Sequence, residues 1–465
     1  MNRFSAAFLL FLLPTPLALA GSESQAVRVE GIFDLAPVQD VSVTDQGEAL
    51  ITLEKRATRF STFPLAVTGE VEFELSKPRA VMLHDDTLVV LGDQDPTTVD
   101  GGVFYIYPNF SASLHGPIEK TSVATFGDPF SQVLSVDGDT VYAVSPTWLA
   151  AMRLSAQEAL ELAAGTSAKY EPAFLFLQCG KATQISIFKY REREFYVTSV
   201  VNEKAIEYGR VQTDNLFSSS TNCFNVDSFI QASGKQVVGG DSSSILHSLV
   251  KPFLPFDPMQ VLVLDAEAGL LSLFPTQEYA RSLAILRSEV LEFDLRRISP
   301  PFDTSKSRFG LLASDIQGKL ILVSYVGSTF VHRFKLENRN FSYLGALRFR
   351  NNVHHLAVSP SGNMASIVTA TSNNEDQEGL YEVTLVQHLA NLPAGANLPL
   401  ARHSIMKLQE SLEEAGFPLY VDGILGTQTR GALDNFMTNT ELTKDDRIKM
   451  DLIETTTRGV FPLLK

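Results

Sequence analysis

The chain has 465 residues, of which 45% are hydrophobic and 20% charged, the profile of a folded protein with more than one buried core. Its formal charge of −15 and the absence of a Lys/Arg cluster exclude a protein that works by neutralising nucleic-acid phosphates.

Residues 1–20 read as a signal peptide. Asn2 and Arg3 precede an apolar run from Ala6 to Leu13, Pro14 and Pro16 break it, and Ala18-Leu19-Ala20 offers small residues before Gly21. An N-terminal membrane anchor is the alternative, although the run is short for a span. Cleavage after Ala20 would leave a mature chain with no transmembrane segment, placed in the periplasm or secreted. Two cysteines, Cys179 and Cys223, fit a single disulfide in an oxidising compartment; two buried free thiols are the other reading.

Residues 21–390 repeat one pattern. Val38–Gly47 followed by Ala49-Leu50-Ile51 reads as strand, turn, strand, and so does Val353–Gly362 followed by Met364–Val368. Looser copies turn at Asp85-Asp86, at Asp137-Gly138 and at Gln317-Gly318. Such hairpins recur every forty to fifty residues or so, a spacing that belongs to propeller blades. The length suggests seven blades, within a range of six to eight; one or two large β-sandwiches are the competing fold. Leu356-Ala-Val-Ser-Pro-Ser-Gly362 resembles a WD40-like blade element, but no Trp-Asp dipeptide occurs, so true WD40 membership is not implied. Leu154–Ala164 breaks the pattern and predicts a connecting helix capped by Ser155, with Glu158 three residues on.

Catalytic signatures are scarce. There is no H-E-x-x-H and no G-x-S-x-G. S-x-x-K occurs at Ser186/Lys189, Ser248/Lys251 and Ser404/Lys407, without the companion motifs of acyl-transferring enzymes. His354 and His355 are strand neighbours, which should point to opposite faces and not ligate one metal. Gly239–Ser244 lacks the Lys of a phosphate-binding loop and reads as a loop between strands. No catalytic residue, metal site or cofactor is expected.

Residues 391–402, with two prolines, a glycine and no charge before Arg402, read as a linker. Beyond it Ile405, Leu408, Leu412 and Ala415 share a helical face, and Gly416 is a natural C′ residue. An extended stretch leads to Val421-Asp-Gly-Ile-Leu-Gly-Thr-Gln-Thr-Arg-Gly-Ala-Leu433, and Ala432, Leu433 and Phe436 mark a second helix.

Leu408-Gln409, Leu412, Ala415-Gly416-Phe417, the Val421–Leu433 run and Phe436 together resemble the peptidoglycan-binding-like domain, a small helical module of bacterial envelope proteins. Leu425 stands where that family commonly has Phe, and Thr427 where it commonly has Pro. The resemblance implies an all-α module over 403–465, so that with the propeller read over 21–390 the chain is mainly β. It also implies a non-catalytic envelope protein that binds peptidoglycan through this module and a protein or glycan partner through the propeller. Tyr420, Thr427, Thr429 and Arg430 are then expected to line an exposed cleft, while Asp422 either contacts the ligand or shapes the turn. A propeller enzyme, a glycan hydrolase or lyase carried to the wall by the module, is the alternative, and a helical add-on for oligomerisation is a third reading.

Overall fold

The computed structural model describes residues 27–439 apart from 84–85, 94–101, 125–131, 137–139, 146–149, 156–160, 162–172, 177–181, 191–192, 201–204, 212–221, 226–244, 251–259, 276–290, 306–308, 338–339, 372–380, 397, 400 and 425. The signal-peptide reading, Cys179 and the tail beyond Asn439 lie outside the described residues.

The strands fall into four-stranded antiparallel sheets. Strand β1 (Arg28–Leu35) stands apart from the hairpin that follows it. Sheet I comprises β2 (Val38–Val43), β3 (Glu48–Leu53), β4 (Arg56–Thr62) and β5 (Leu65–Glu72). Sheet II comprises β6 (Ser76–Met82), β7 (Leu88–Asp93), β8 (Gly102–Tyr107) and β9 (Thr121–Ala124). Sheet III comprises β10 (Gln132–Val136), β11 (Thr140–Ser145), β12 (Ala150–Ser155) and β13 (Ala173–Phe176). Sheet IV comprises β14 (Ala182–Tyr190), β15 (Arg193–Val200), β16 (Ala205–Val211) and β17 (Asn222–Asn225). Sheet V comprises β18 (Ile245–Val250), β19 (Gln260–Asp265), β20 (Leu270–Pro275) and β21 (Leu291–Asp294). Sheet VI comprises β22 (Gly310–Ser314), β23 (Ile321–Tyr325), β24 (Phe330–Glu337) and β25 (Asn340–Arg348). Sheet VII comprises β26 (Asn352–Val358), β27 (Met364–Ala370) and β28 (Tyr381–Gln387), and its fourth strand is β1.

Two relationships turn these sheets into a ring. The first strand of each sheet touches the first strand of the next, from β2 through β6, β10, β14, β18, β22 and β26 back to β2. That places the first strands around a common axis. In addition β1 pairs antiparallel with β28, Val29 opposite Val386, so one sheet is closed by both ends of the strand-rich region. The arrangement is that of a β-propeller. Closure removes the unpaired ends that a row of sheets would otherwise leave.

The cores lie between sheets. Leu53, Ile51 and Phe60 of sheet I pack with Val368, Val383 and Leu385 of sheet VII. Leu262 and Leu264 of sheet V pack with Ile321, Val323 and Phe334 of sheet VI. Central strands such as β27 are buried along their length, which is why they read as continuous apolar runs and not as alternating ones. The hairpin turns fall where the sequence puts them. Gly47 (φ +81°), Gly318 (φ +68°) and Gly362 (φ +77°) supply the left-handed residue after β2, β22 and β26. These turns also interlock: the Ser361 N–H and hydroxyl both donate to Asp45, at 2.9 and 2.6 Å, joining the hairpins of sheets VII and I.

One expected element is corrected. Leu154 and Ser155 do not start a helix; they end β12, opposite Val141 and Thr140. The ladder in sheet III uses their backbone groups before a cap can form. Glu161 is helical, and most of the remaining stretch lies outside the described residues.

The segment read as a linker is packed. Leu392 and Ala401 are buried against Val29, Leu347, Val386 and Leu389. Arg333, buried on β24, donates to the carbonyls of Leu392 (3.1 Å), Pro393 (3.1 Å) and Leu344 (3.0 Å), and Gly395 N–H donates to Leu344 O at 3.1 Å. A composition typical of a loose tether here forms a strap across sheet VI, because a buried guanidinium donates to its Leu392 and Pro393 carbonyls.

Candidate functional site

The C-terminal segment is built on two helices, α1 (Arg402–Glu414) and α2 (Thr427–Asn439). Leu408 and Leu412 of α1 pack on Ala432, Leu433 and Phe436 of α2, with Phe417 and Leu419 against them. Helix α1 ends in a Schellman turn: Phe417 N–H donates to Leu412 O at 3.0 Å and Gly416 N–H to Glu413 O at 2.9 Å, with Gly416 at φ +93°. The turn sends the chain back towards α2, and Phe417 lands edge-on to Phe436 at 6.0 Å.

Gln409 organises everything between the helices. It is buried, and each end of its carboxamide is used. The side-chain carbonyl accepts the N–H groups of Asp422 (3.0 Å) and Gly423 (2.8 Å). The amide donates to Asp422 Oδ1 (2.8 Å), Ile424 O (3.2 Å) and Thr429 Oγ1 (3.0 Å). Asp422 Oδ1 also accepts the Ile424 N–H at 2.8 Å, the Asx turn that its position suggests. The Gln409 hydrogen bond, helped by the Ile424 N–H, holds the Asp422 carboxyl below the usual carboxylate range. Gly423 sits at φ +71° with its α-carbon against Arg402. Gly426 O accepts the Arg430 N–H at 3.0 Å, which makes Gly426 the cap and Thr427 the first residue of α2.

The structure divides the expected site residues into two groups. Tyr420, Thr427 and Arg430 are exposed, Tyr420 to 83%. Thr429 is not: only 3% of it is accessible, and its hydroxyl donates to Ile424 O at 3.2 Å while accepting from Gln409. Thr429 therefore belongs to the scaffold and cannot line an open cleft. Asp422 lies at the surface, but its Oδ1 serves the turn. Ile424, 64% exposed, joins Tyr420 in presenting apolar surface from the same loop. The sequence reading missed both Ile424 and the role of Gln409. The Leu408-Gln409 pair was the available signal, since a glutamine on the inner side of an amphipathic helix must find polar partners.

Within the ring, the histidines separate as their strand positions require. His354 is buried beside the Tyr381 ring at 5.8 Å, while His355 Nε2 lies 2.9 Å from Val38 O of the next sheet. Ser248 Oγ meets Ser314 Oγ at 2.7 Å. Lys251 lies outside the described residues, as do the side chains of the other two S-x-x-K pairs. Cys223 is on β17, opposite Glu207. Among the described residues no group of three or more His, Cys, Asp or Glu side chains could hold a metal, and no helix is long and apolar enough to cross a membrane.

No family model and no curated protein matches the chain. Solved structures with a similar course of the chain include hydrazine synthase of Kuenenia stuttgartiensis, at 13% identity, covering 76% of this chain and 96% of that one, with a TM-score of 0.49. The β-propeller domain of Myceliophteria thermophila Cps50 (Swd1) is similar at 7% identity, 77% and 98% coverage and a TM-score of 0.49. Streptogramin B lyase is similar at 8% identity, 78% and 97% coverage and a TM-score of 0.47.

Proposed function

We propose that this chain is an exported, non-catalytic envelope protein: a seven-bladed propeller carrying a peptidoglycan-binding-like helical module at its C-terminus. The module binds peptidoglycan, and the propeller offers its loop-bearing faces to a protein or glycan partner. One observation carries the reading. The residues that make the Val421–Leu433 run recognisable, Asp422, Gly423 and Thr429, are gathered on Gln409 into one rigid turn that holds Tyr420 and Ile424 outward. A preformed turn spends little entropy on binding, an exposed tyrosine can stack on a sugar face, and Arg430 nearby can pair with a stem-peptide carboxylate.

Co-sedimentation with purified sacculi tests this with the whole chain. A truncation after Ala390 would strip Leu392 and Pro393 from Arg333 and disturb the ring, so exposed side chains are the better target. Wild-type protein should sediment, and a Tyr420→Ala/Arg430→Gln double variant should stay in the supernatant. Equal sedimentation of the two proteins, or none by the wild type, ends the proposal.

A further inference from the structure

The ring is closed by its least secure strand. In sequence β1 continues into β2 of sheet I, so only pairing and packing join it to sheet VII, where it is the edge strand beside β28. Its own residues help little. Gly31 stands opposite Thr384 in mid-strand, and the register shifts between Phe33 and Leu35. A strand glycine brings no side chain to pack, and a bulge interrupts the ladder. Segments of this kind open first, in local unfolding that leaves the rest of a fold intact.

Two pieces of chain from the C-terminal side hold β1 in place. Past β28 the strap crosses sheet VI, where Arg333 binds the Leu392 and Pro393 carbonyls. It then returns, so that Ala401 is buried with Val29 of β1 and Val386 of β28. Helix α1 begins at Arg402 and lies against β1. Four residues beyond Ala401, and so on the same side of the helix, Ile405 is only 7% exposed. It stands outside the cluster through which Leu408 and Leu412 meet α2. The buried side of α1 is therefore shared: its first turn serves the ring and its later turns serve α2. A helix laid against an edge strand is one of the ways proteins guard such strands.

We infer that the first turn of α1 is a latch on β1, which couples docking of the helical module to closure of the propeller at sheet VII. The two states are β1 paired with β28 beneath a docked first turn, and β1 free to detach once that turn is released. Coupling of this sort is reciprocal: whatever favours the docked turn strengthens closure by the same factor, and a closed ring favours docking. Closure fixes how the blades sit around the axis, so the latch passes the state of the module to the loop-bearing faces of the ring. This holds whatever the module binds. Loosening deeper in the module leaves β1 protected as long as the first turn stays docked most of the time.

Hydrogen exchange of the full chain, followed by peptide mass, tests the latch without any ligand. Ile405→Ala keeps a good helix former in α1 and removes the latch side chain. Exchange across 28–35 should rise roughly tenfold, the middle of the usual range for coupled sites, while β19 and β23 keep their wild-type rates. Phe436→Leu, a change within the cluster that joins α1 to α2, should speed exchange across 427–439 and leave 28–35 as it was. Should Ile405→Ala fail to fold by circular dichroism, Ile405→Val, which removes one methylene, should raise exchange across 28–35 several-fold. The latch is overturned if the folded Ile405 variant exchanges across 28–35 like wild type, or if it speeds β19 and β23 as much as β1. It is equally overturned if Phe436→Leu speeds 28–35 as much as Ile405→Ala does, because β1 would then answer to the module's general stability and not to this contact.

Discussion

The side-chain carbonyl of Gln409 accepts the Gly423 N–H at 2.8 Å, so a residue inside α1 fixes the tightest point of the loop that follows. Four other contacts of the same carboxamide reach Asp422, twice, Ile424 and Thr429. The loop has no sheet or helix of its own to hold it. Its shape depends on this one side chain.

Gln409→Ala should therefore loosen the module without touching the ring. The N–H groups of Asp422 and Gly423 lose their acceptor, and the expected cost is roughly 2–3 kcal/mol. Hydrogen exchange followed by peptide mass should show faster exchange across 402–439 and unchanged protection in β27 and β28. Uniform loss of protection throughout the chain would contradict this.

Gly423 and Gly426 should respond differently to alanine. A β-carbon on Gly423, at φ +71°, would run into Arg402 Cγ, whereas one on Gly426 meets nothing within 4 Å. Gly423→Ala should cost ~2 kcal/mol from strain and displacement of Arg402. Gly426→Ala should cost less, under about 1 kcal/mol, through the poorer N-cap that alanine makes for α2. Thermal denaturation monitored in the helical region separates the two, and equal effects would mean that the turn is more compliant than its contacts suggest.

Arg333→Met should destabilise the ring itself. The variant fills the same space but removes the donor that Leu392 O, Pro393 O and Leu344 O share, although Leu344 O keeps the Gly395 N–H and Pro393 O the Ala396 N–H. Burial lowers the Arg333 guanidinium to about 10, still charged at neutral pH. The expected loss is about 3 kcal/mol, from several charge-assisted hydrogen bonds removed at once. Urea denaturation should show a lower midpoint, with protection lost first in 389–396 and in β1. A midpoint equal to wild type would show that water replaces the guanidinium at no cost.

Stability should fall in mild acid through His332. Its ring is buried beside Phe302 and Tyr343, and burial brings it down from 6.5 to about 4. Between those values the unfolded chain takes up a proton that the folded chain refuses. The stability it contributes is thus complete above about pH 6.5 and is lost as pH falls towards 4, by on the order of 3 kcal/mol. Urea midpoints measured across that range should decline less steeply in His332→Phe than in wild type. Parallel curves would show that the ring is protonated in the folded state. His355, also held at about 4, adds to the slope in the same window.

Much of the ring was readable from local pattern. The hairpins around Gly47, Gly318 and Gly362 were visible because short apolar runs, a polar turn and a glycine that takes positive φ are all encoded within a dozen residues or so. The expected helix at Leu154 shows where that stops. A good capping pattern lost to a strand ladder whose partner, β11, already stood beside it. In the module, the helical face of Leu408 and Leu412 and the C′ glycine at 416 were evident for the same local reasons. Thr429 was not, because a threonine two residues into a helix looks exposed until one knows that Gln409 lies across from it.

Local periodicity and turn chemistry in the sequence by themselves determined that this chain makes repeated hairpins followed by two short amphipathic helices. Tertiary structure alone decided how the ring closes, since β1 and β28 are separated by most of the chain and only their pairing joins them. It also decided that a proline-rich strap is packed and not loose, because the cation that holds it sits some sixty residues earlier on β24. Short-range order follows from each residue's own preferences, whereas such meetings depend on which distant carbonyl or charge is left without a partner when the sheets close.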